Sequence, residues 1–243
     1  MRILYQPIVD VSSGAVVKAE ALCRLGTAEH PQEPAEFIPY AEESGLMRGL
    51  TDRVVEQALA DWKALGRSAP AGLSLNLSLK NLEEPDLAER VSAALRKAGI
   101  SPTVVWFELG EGVQLRSDRE LATMKRVAAL GVQFSIDSFG LGLSTFSHYE
   151  LQRLPQLHEL KIDARFVRDM DVDMEHRRRV ASVIDLARNM GLSTVAKGVE
   201  RAEVARLLAR MGCSCAQGFY YGEPCEPGVL RELLERSLSA RTP

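Results

Sequence analysis

An α/β fold is predicted, and within that class a TIM-like (β/α)8 barrel with an antiparallel first strand. Three observations predict it. Short β-rich runs alternate with longer stretches of helical period along the 243 residues, a pattern of parallel strands joined by crossover helices. The strand candidates are enough to close a ring at this chain length. The first two, at 3–9 and 16–25, are separated only by Asp10-Val11-Ser12-Ser13-Gly14, a hairpin signal that sets them antiparallel. A doubly wound open sheet would place Gly-x-Gly-x-x-Gly after the first strand, and none follows it.

After the hairpin, helices are expected at 34–44 and 51–65, then a strand at 72–77, a helix at 85–98 and a strand at 104–109. A helix at 117–130 leads to a strand at 133–136, and a shorter helix near 146–153 to a strand at 159–162. A helix at 176–190, a strand at 193–196, a helix at 202–211, a strand at 213–219 and a helix at 227–238 complete the series. No linker interrupts it, so residues 1–243 read as one domain. The abrupt entry into a strand suggests a unit cut from a longer multidomain signalling protein.

Composition narrows the classes. Hydrophobic residues make up 46% and charged residues 26%, with 18 Gly and 11 Pro, which excludes disorder and low-complexity arrays as the main content. A net charge of −3 gives no footprint for duplex nucleic acid or an anionic membrane, so any phosphate must be bound by local groups. No apolar run is long enough to span a bilayer, and the N-terminus carries no secretory signal. Four cysteines point to a reduced cytoplasmic compartment. Cys213-x-Cys215 lacks both the Cys-x-x-Cys spacing and the two further ligands that zinc needs.

Strand parity locates the chemistry. Successive side chains face opposite sides of a strand. Lys18, Glu20, Leu22 and Arg24 therefore share one face of their strand, against Val17, Ala19, Ala21, Cys23 and Leu25. Ser74 and Asn76 oppose Leu73, Leu75 and Leu77; Trp106 and Glu108 oppose Val105, Phe107 and Leu109. Ser135 and Asp137 oppose Phe134 and Ile136; Lys161 and Asp163 oppose Leu160 and Ile162. The apolar faces are expected under the helices and the polar faces inside the barrel. Glu20, Asn76, Glu108, Asp137, Lys161, Asp163 and Gln217 then gather at the C-terminal mouth, where such barrels hold their chemistry. Glu20, Asn76, Glu108 and Asp137 are hard oxygen donors suited to Mg²⁺, Mn²⁺ or Ca²⁺ rather than zinc. Arg24 is placed to grip a phosphate bidentately, or else to pair with one of these carboxylates.

At these residues the sequence resembles the EAL-domain family of cyclic di-GMP phosphodiesterases and their inactive relatives. The tripeptide Glu20-Ala21-Leu22 is preceded by YQPIVD at 5–10. It is followed by SLNLS around Asn76, FELGE at 107–111, IDSFGLGLSTF at 136–146, LKIDARFV at 160–167, VAKGVE at 195–200 and AQGFYYGEP at 216–224. The ordered set covers nearly the whole chain. The resemblance implies a modified TIM barrel with an antiparallel first strand. It implies that Glu20, Asn76, Glu108 and Asp137 are ligands of a first metal and that Lys161 helps hold the attacking water. Asp163 corresponds to a ligand of a second metal, and Glu200 and Gln217 to residues of the active site. Gln6, Leu22 and Arg24 correspond to dinucleotide contacts, and Phe219 and Pro224 to the lining of the guanine. A homodimer is implied in the same way.

Three departures from the family pattern matter. Ser138 replaces a carboxylate of the second metal site. Lys197 replaces a glutamate implicated as general base or metal-water support. The loop at 140–144 reads Gly-Leu-Gly-Leu-Ser instead of Gly-Thr-Gly-Tyr-Ser. Gly110 also stands where the family has threonine, although Glu111 is kept. Exchanging a glutamate for Lys197 and an aspartate for Ser138 moves the local charge by +3. A unit charge at ~4 Å is worth ~4 kcal/mol at an effective dielectric near 20. A second divalent cation would meet repulsion and too few ligands, and an ammonium is a poor general base. Lys197 is expected to take the second metal's place, paired with Asp163 or Glu200. The expected function is a degenerate EAL domain that binds cyclic di-GMP with little or no hydrolysis and signals through a partner protein or fused domain. It would hold Mg²⁺ or Mn²⁺ at one site or no metal at all. Lys161 and Glu200 are then vestigial as catalytic residues. The alternatives are an active Mg²⁺- or Mn²⁺-dependent phosphodiesterase making pGpG, and a protein-interaction domain without nucleotide.

Overall fold

A computed structural model of the chain describes residues 1–27, 29–111, 117–140 and 148–239. The first strand, β1 (Arg2–Asp10), turns back at Gly14 into β2 (Val16–Gly26), and the two pair antiparallel with Gln6 opposite Glu20. A two-residue strand, β3 (Pro31–Gln32), adds to the free end of β2, followed by the helices α1 (Pro34–Glu43) and α2 (Met47–Leu65). Strand and helix then alternate: β4 (Gly72–Asn76), α3 (Leu79–Leu82), α4 (Leu87–Ala98), β5 (Val105–Gly110), α5 (Asp118–Ala128), β6 (Gln133–Phe139) and α6 (His148–Arg153). The series ends with β7 (Leu157–Ile162), α7 (Ala164–Val167), α8 (Met174–Met190), β8 (Ser193–Ala196), α9 (Ala202–Met211), β9 (Cys215–Gln217) and α10 (Pro227–Ser239).

The sheet runs β1-β9-β8-β7-β6-β5-β4-β2, and the β1–β2 pairing closes it into a barrel with β3 left outside. The first strand is antiparallel to both neighbours, and the other ring pairings are parallel. Parity decides the layers. Leu73, Leu75, Phe107, Phe134, Ile136, Leu160 and Ile162 face outward into the core shared with Leu59, Leu95, Val127, Ile184 and Leu208 of the helices. Each such side chain contributes about 1.5–3 kcal/mol on burial.

Helix ends follow local chemistry. Asp173 caps α8 by accepting from the amides of Glu175 and His176, and α4, α8 and α9 stop at the left-handed glycines Gly99, Gly191 and Gly212. The structure corrects several boundaries. The helix expected from residue 51 begins at Met47, the one expected from 85 begins at Leu87, and the strand expected over 213–219 is only Cys215–Gln217. The elements β3, α3 and α7 were not expected, because two to four residues are too few to show a period. Residues 146–147 of the expected short helix, and Leu141, Leu143 and Ser144 of the altered loop, lie outside the described residues.

Candidate functional site

Barrel interiors are filled in layers contributed by alternate strands. Here one layer joins Glu20 of β2, Glu108 of β5, Lys161 of β7 and Gln217 of β9, all buried. Lys161, wholly buried, donates to Glu20 Oε2 at 2.8 Å and to both oxygens of Glu108 at 2.6 Å. The Gln217 amide donates to Glu20 Oε2 at 2.9 Å and to Gln6 Oε1 at 3.0 Å. The next layer toward the mouth brings Gln6, Asn76, Asp137 and Lys197. Asn76 Nδ2 donates to Glu20 Oε1 at 3.0 Å, and Gln6 Nε2 donates to the Gly222 carbonyl at 3.2 Å. Lys197 closes the layer by donating to both oxygens of Asp137, at 2.7 and 2.8 Å.

The expected partner of Lys197 is thus corrected. It meets neither Asp163 nor Glu200 but Asp137, which its direction from the end of β8 brings within reach. Asp163 instead caps α7, accepting from the Arg165 amide at 2.9 Å and Arg165 Nε at 3.1 Å. Glu200 is exposed and pairs with Arg168 Nε at 3.2 Å. Arg24 pairs with none of the interior carboxylates; its Nε lies 3.0 Å from Glu33. Ser138 has φ 56, a left-handed conformation unusual for a residue other than glycine, and its hydroxyl lies 3.4 Å from Asp137 Oδ2. Glu111 is buried, and its carboxylate accepts from the Gly140 amide at 3.0 Å. Leu22 lines a cavity of about 520 Å³ that opens beside Glu20 and Asn76, between Phe37, Ile38, Glu42 and Met47. Pro224 is half-buried, and Phe219 is 60% exposed at the rim.

The charges in this interior are coupled. Burial resists ionisation of Glu20, but the Lys161 and Lys197 ammonium groups overcome it and hold its carboxyl well below the usual range. Burial and the neighbouring Glu20 charge push Glu108 up to about 7, against the pull of Lys161. Burial opposes the charge on both lysines, yet the surrounding carboxylates keep Lys161 and Lys197 protonated above the ordinary lysine range.

The fit to a divalent cation follows from these contacts. Glu20, Asn76, Glu108 and Asp137 have the right donor chemistry. Both oxygens of Glu108 and of Asp137 are nevertheless engaged by ammonium groups, and both oxygens of Glu20 by Lys161 and two amides. Among the described residues no group of three His, Cys, Asp or Glu is disposed around one ion. In this arrangement two ammonium groups occupy oxygens that a divalent cation would need, Lys161 on Glu20 and Glu108 and Lys197 on Asp137.

Sequence reasoning missed the roles of Arg165, Arg168 and Glu33. The spacing Asp163-x-Arg165 was the signal for the first, since an aspartate before a helical turn accepts from the residue two positions on. It also missed a second buried pair at the opposite end of the barrel, where Lys18 meets Glu159 and lies 3.9 Å from the Trp106 ring centroid. Parity places Lys18 on the face of Glu20, and Glu159 on the face of Lys161.

The fold and the site define a class: a (β/α) barrel with a reversed first strand and an interior of carboxylates and amides. The description "EAL domain" matches residues 1–224, and the chain belongs to the EAL-domain family. A Pseudomonas aeruginosa protein described as a cyclic di-GMP phosphodiesterase is 32% identical over 96% of this chain, which spans 40% of that protein. The first curated relatives are all much longer, this chain spanning 32% of two others. Among solved structures, the MucR phosphodiesterase of the same organism in complex with c-di-GMP superposes with a TM-score of 0.86 at 31% identity, covering 94% of this chain and 93% of that one. Klebsiella pneumoniae BlrP1, in a calcium and cyclic di-GMP complex, gives 0.82 at 28% identity, covering 93% of this chain and 56% of that one. No helix among the described residues is long and apolar enough to cross a membrane.

Proposed function

We propose that this chain is one EAL unit that binds cyclic di-GMP with little or no hydrolysis and transmits occupancy to a partner protein or to a domain of a longer chain. The observation that carries this reading is Lys197 on both oxygens of Asp137. It puts a fixed cation where the family resemblance implies metal-dependent chemistry, and it engages a first-site donor. Hydrolysis by two metals needs both cations beside the scissile phosphate. Here Ser138 and Lys197 weaken the second site, and Asp163 and Glu200 are turned to arginines. The nucleotide contacts are better kept. Gln6 and Asn76 stand in the layer nearer the mouth, above the buried Gln217, the cavity of about 520 Å³ lies on the Leu22 side, and Pro224 is kept. Arg24 is held by the Cys23 carbonyl at 2.9 Å and by the exposed Glu33, and a phosphate that displaced Glu33 would meet its guanidinium.

Calorimetric titration with cyclic di-GMP, in Mg²⁺ or Mn²⁺ and again in EDTA, tests the reading when product is followed by chromatography. Binding in EDTA without pGpG is the expected result. Steady release of pGpG with either metal identifies a working phosphodiesterase instead. Neither binding nor product leaves a protein-interaction domain. The double variant K197E/S138D is expected to gain metal-dependent turnover, since it removes the competing ammonium and restores two carboxylates.

A further inference from the structure

We infer that Lys197, Arg165 and Arg168 form a metal-free clamp for a phosphodiester group at the barrel mouth. The inference rests on the nucleotide-binding reading above and names the groups that would replace a metal. Three observations converge on it.

The first is placement. The short helix α7 follows directly from β7, whose Lys161 pairs with Val195 of β8, so Asp163 and Lys197 are neighbours across the two strand ends. The Lys197 amide is tied to the Ile162 carbonyl at 3.1 Å. Gly198 lets α7 approach further: a Cβ added there would lie 2.6 Å from the Ala164 Cβ and 3.5 Å from Arg168 Nε. Both guanidiniums thus belong to the wall that carries Lys197.

The second is donor inventory. An ammonium has three N–H donors, and Asp137 engages Lys197 through two oxygens. The Lys197 side chain is 23% exposed, so its remaining donor has access to the mouth. Arg165 and Arg168 each use Nε on a carboxylate, and their Nη groups meet no acceptor among the described residues. A guanidinium edge with two parallel N–H groups matches a phosphate bidentately.

The third is strength. Asp163 and Glu200 hold these arginines through pairs whose arginine side chains are 69% and 59% exposed, the kind that reorients readily when a better acceptor arrives. The carboxylates also cancel each cation's long-range field, so the mouth selects by donor geometry more than by net attraction.

Titration of cyclic di-GMP in EDTA tests the clamp on three proteins: the unaltered chain, R165Q/R168Q, and R188Q as a charge control from the far end of α8. The double variant is expected to lose affinity by at least about tenfold, the low end for a single charge-assisted contact. Its affinity should also depend less steeply on salt than that of R188Q. Equal affinity of R165Q/R168Q and R188Q would overturn the clamp while leaving nucleotide binding intact. Binding by the unaltered chain only when Mn²⁺ is present would overturn it as well. No binding by the unaltered chain under any condition would overturn the reading on which it rests. Far-ultraviolet circular dichroism checks that the substituted arginines, exposed on the surface, leave the fold unchanged.

Discussion

Glu20 and Glu108 are both glutamates on the same ammonium, yet their surroundings push them in opposite directions. Glu20 receives Lys161, Asn76 and Gln217, whereas Glu108 has Lys161 alone and faces the charges of Glu20 and Asp137. Its pKa in the fold therefore rises from 4.5 to about 7. A carboxyl raised in this way binds more protons folded than unfolded. It contributes stability that is complete below 4.5 and is lost as pH climbs toward about 7. Glu20, held low, works the other way and loses its contribution only as pH falls below its ordinary value. Urea unfolding from about pH 5 to 8 separates the two, because of these two carboxyls Glu108 alone changes charge there. The E108Q variant, an uncharged mimic of the protonated form, is expected to lose the decline that the unaltered protein shows. Relative to that protein it should grow more stable toward pH 8. Parallel curves for the two proteins would refute a proton at Glu108.

At the scale of elements, the Lys197–Gly198–Val199 segment meets α7 through one missing side chain. Gly198 has φ 72, and an added Cβ would lie 2.6 Å from Ala164 Cβ. Gly99, at the end of α4, has nearly the same φ of 71 with nothing within 4 Å. G99A therefore measures the left-handed backbone cost alone, about 1–2 kcal/mol. G198A adds the collision with α7. At about 2–4 °C per kcal/mol for a chain of this size, G99A should lower the melting temperature by roughly 2–8 °C and G198A by clearly more. Equal losses in scanning calorimetry would mean that α7 shifts freely and does not hold the Lys197 segment. This element also marks where the sequence stopped being readable. Strands such as β4 and β5 were legible because alternation over five or six residues fixes which side faces the barrel, and that parity put Glu20, Glu108 and Lys161 together. The four-residue α7 has no period to read. The partner of Lys197 depends on which of several nearby carboxylates the end of β8 points toward, and that is a matter of three-dimensional direction that spacing does not encode.

For the whole molecule, a net charge of −3 conceals charged layers at two heights of one barrel. The upper layer belongs to the mouth. The lower pair, Lys18 and Glu159, is buried at the opposite end, where both side chains are at most 7% exposed and Ser193 Oγ donates to Glu159 at 3.3 Å. Parity had put Lys18 on the interior face, but only closure of the sheet brings β2 and β7 across the barrel so that it meets Glu159. A buried pair of this kind is weak evidence for stability, since desolvation of two ions offsets their attraction. Removing one partner is a different matter, because the survivor stays buried without its counter-charge. E159L should therefore cost about 3–5 kcal/mol in urea unfolding, toward the lower end because the Trp106 ring still faces the ammonium. K18M should cost a similar amount, leaving the Glu159 carboxylate stranded. The double variant K18M/E159L leaves the net charge at −3 and replaces the pair by apolar side chains of similar length. It is expected to fall within about 1 kcal/mol of the unaltered protein, so the double-mutant cycle returns a large coupling energy. If the two single losses simply add in the double variant, the ion pair is not what holds the base of the barrel, and its residues act there through packing alone.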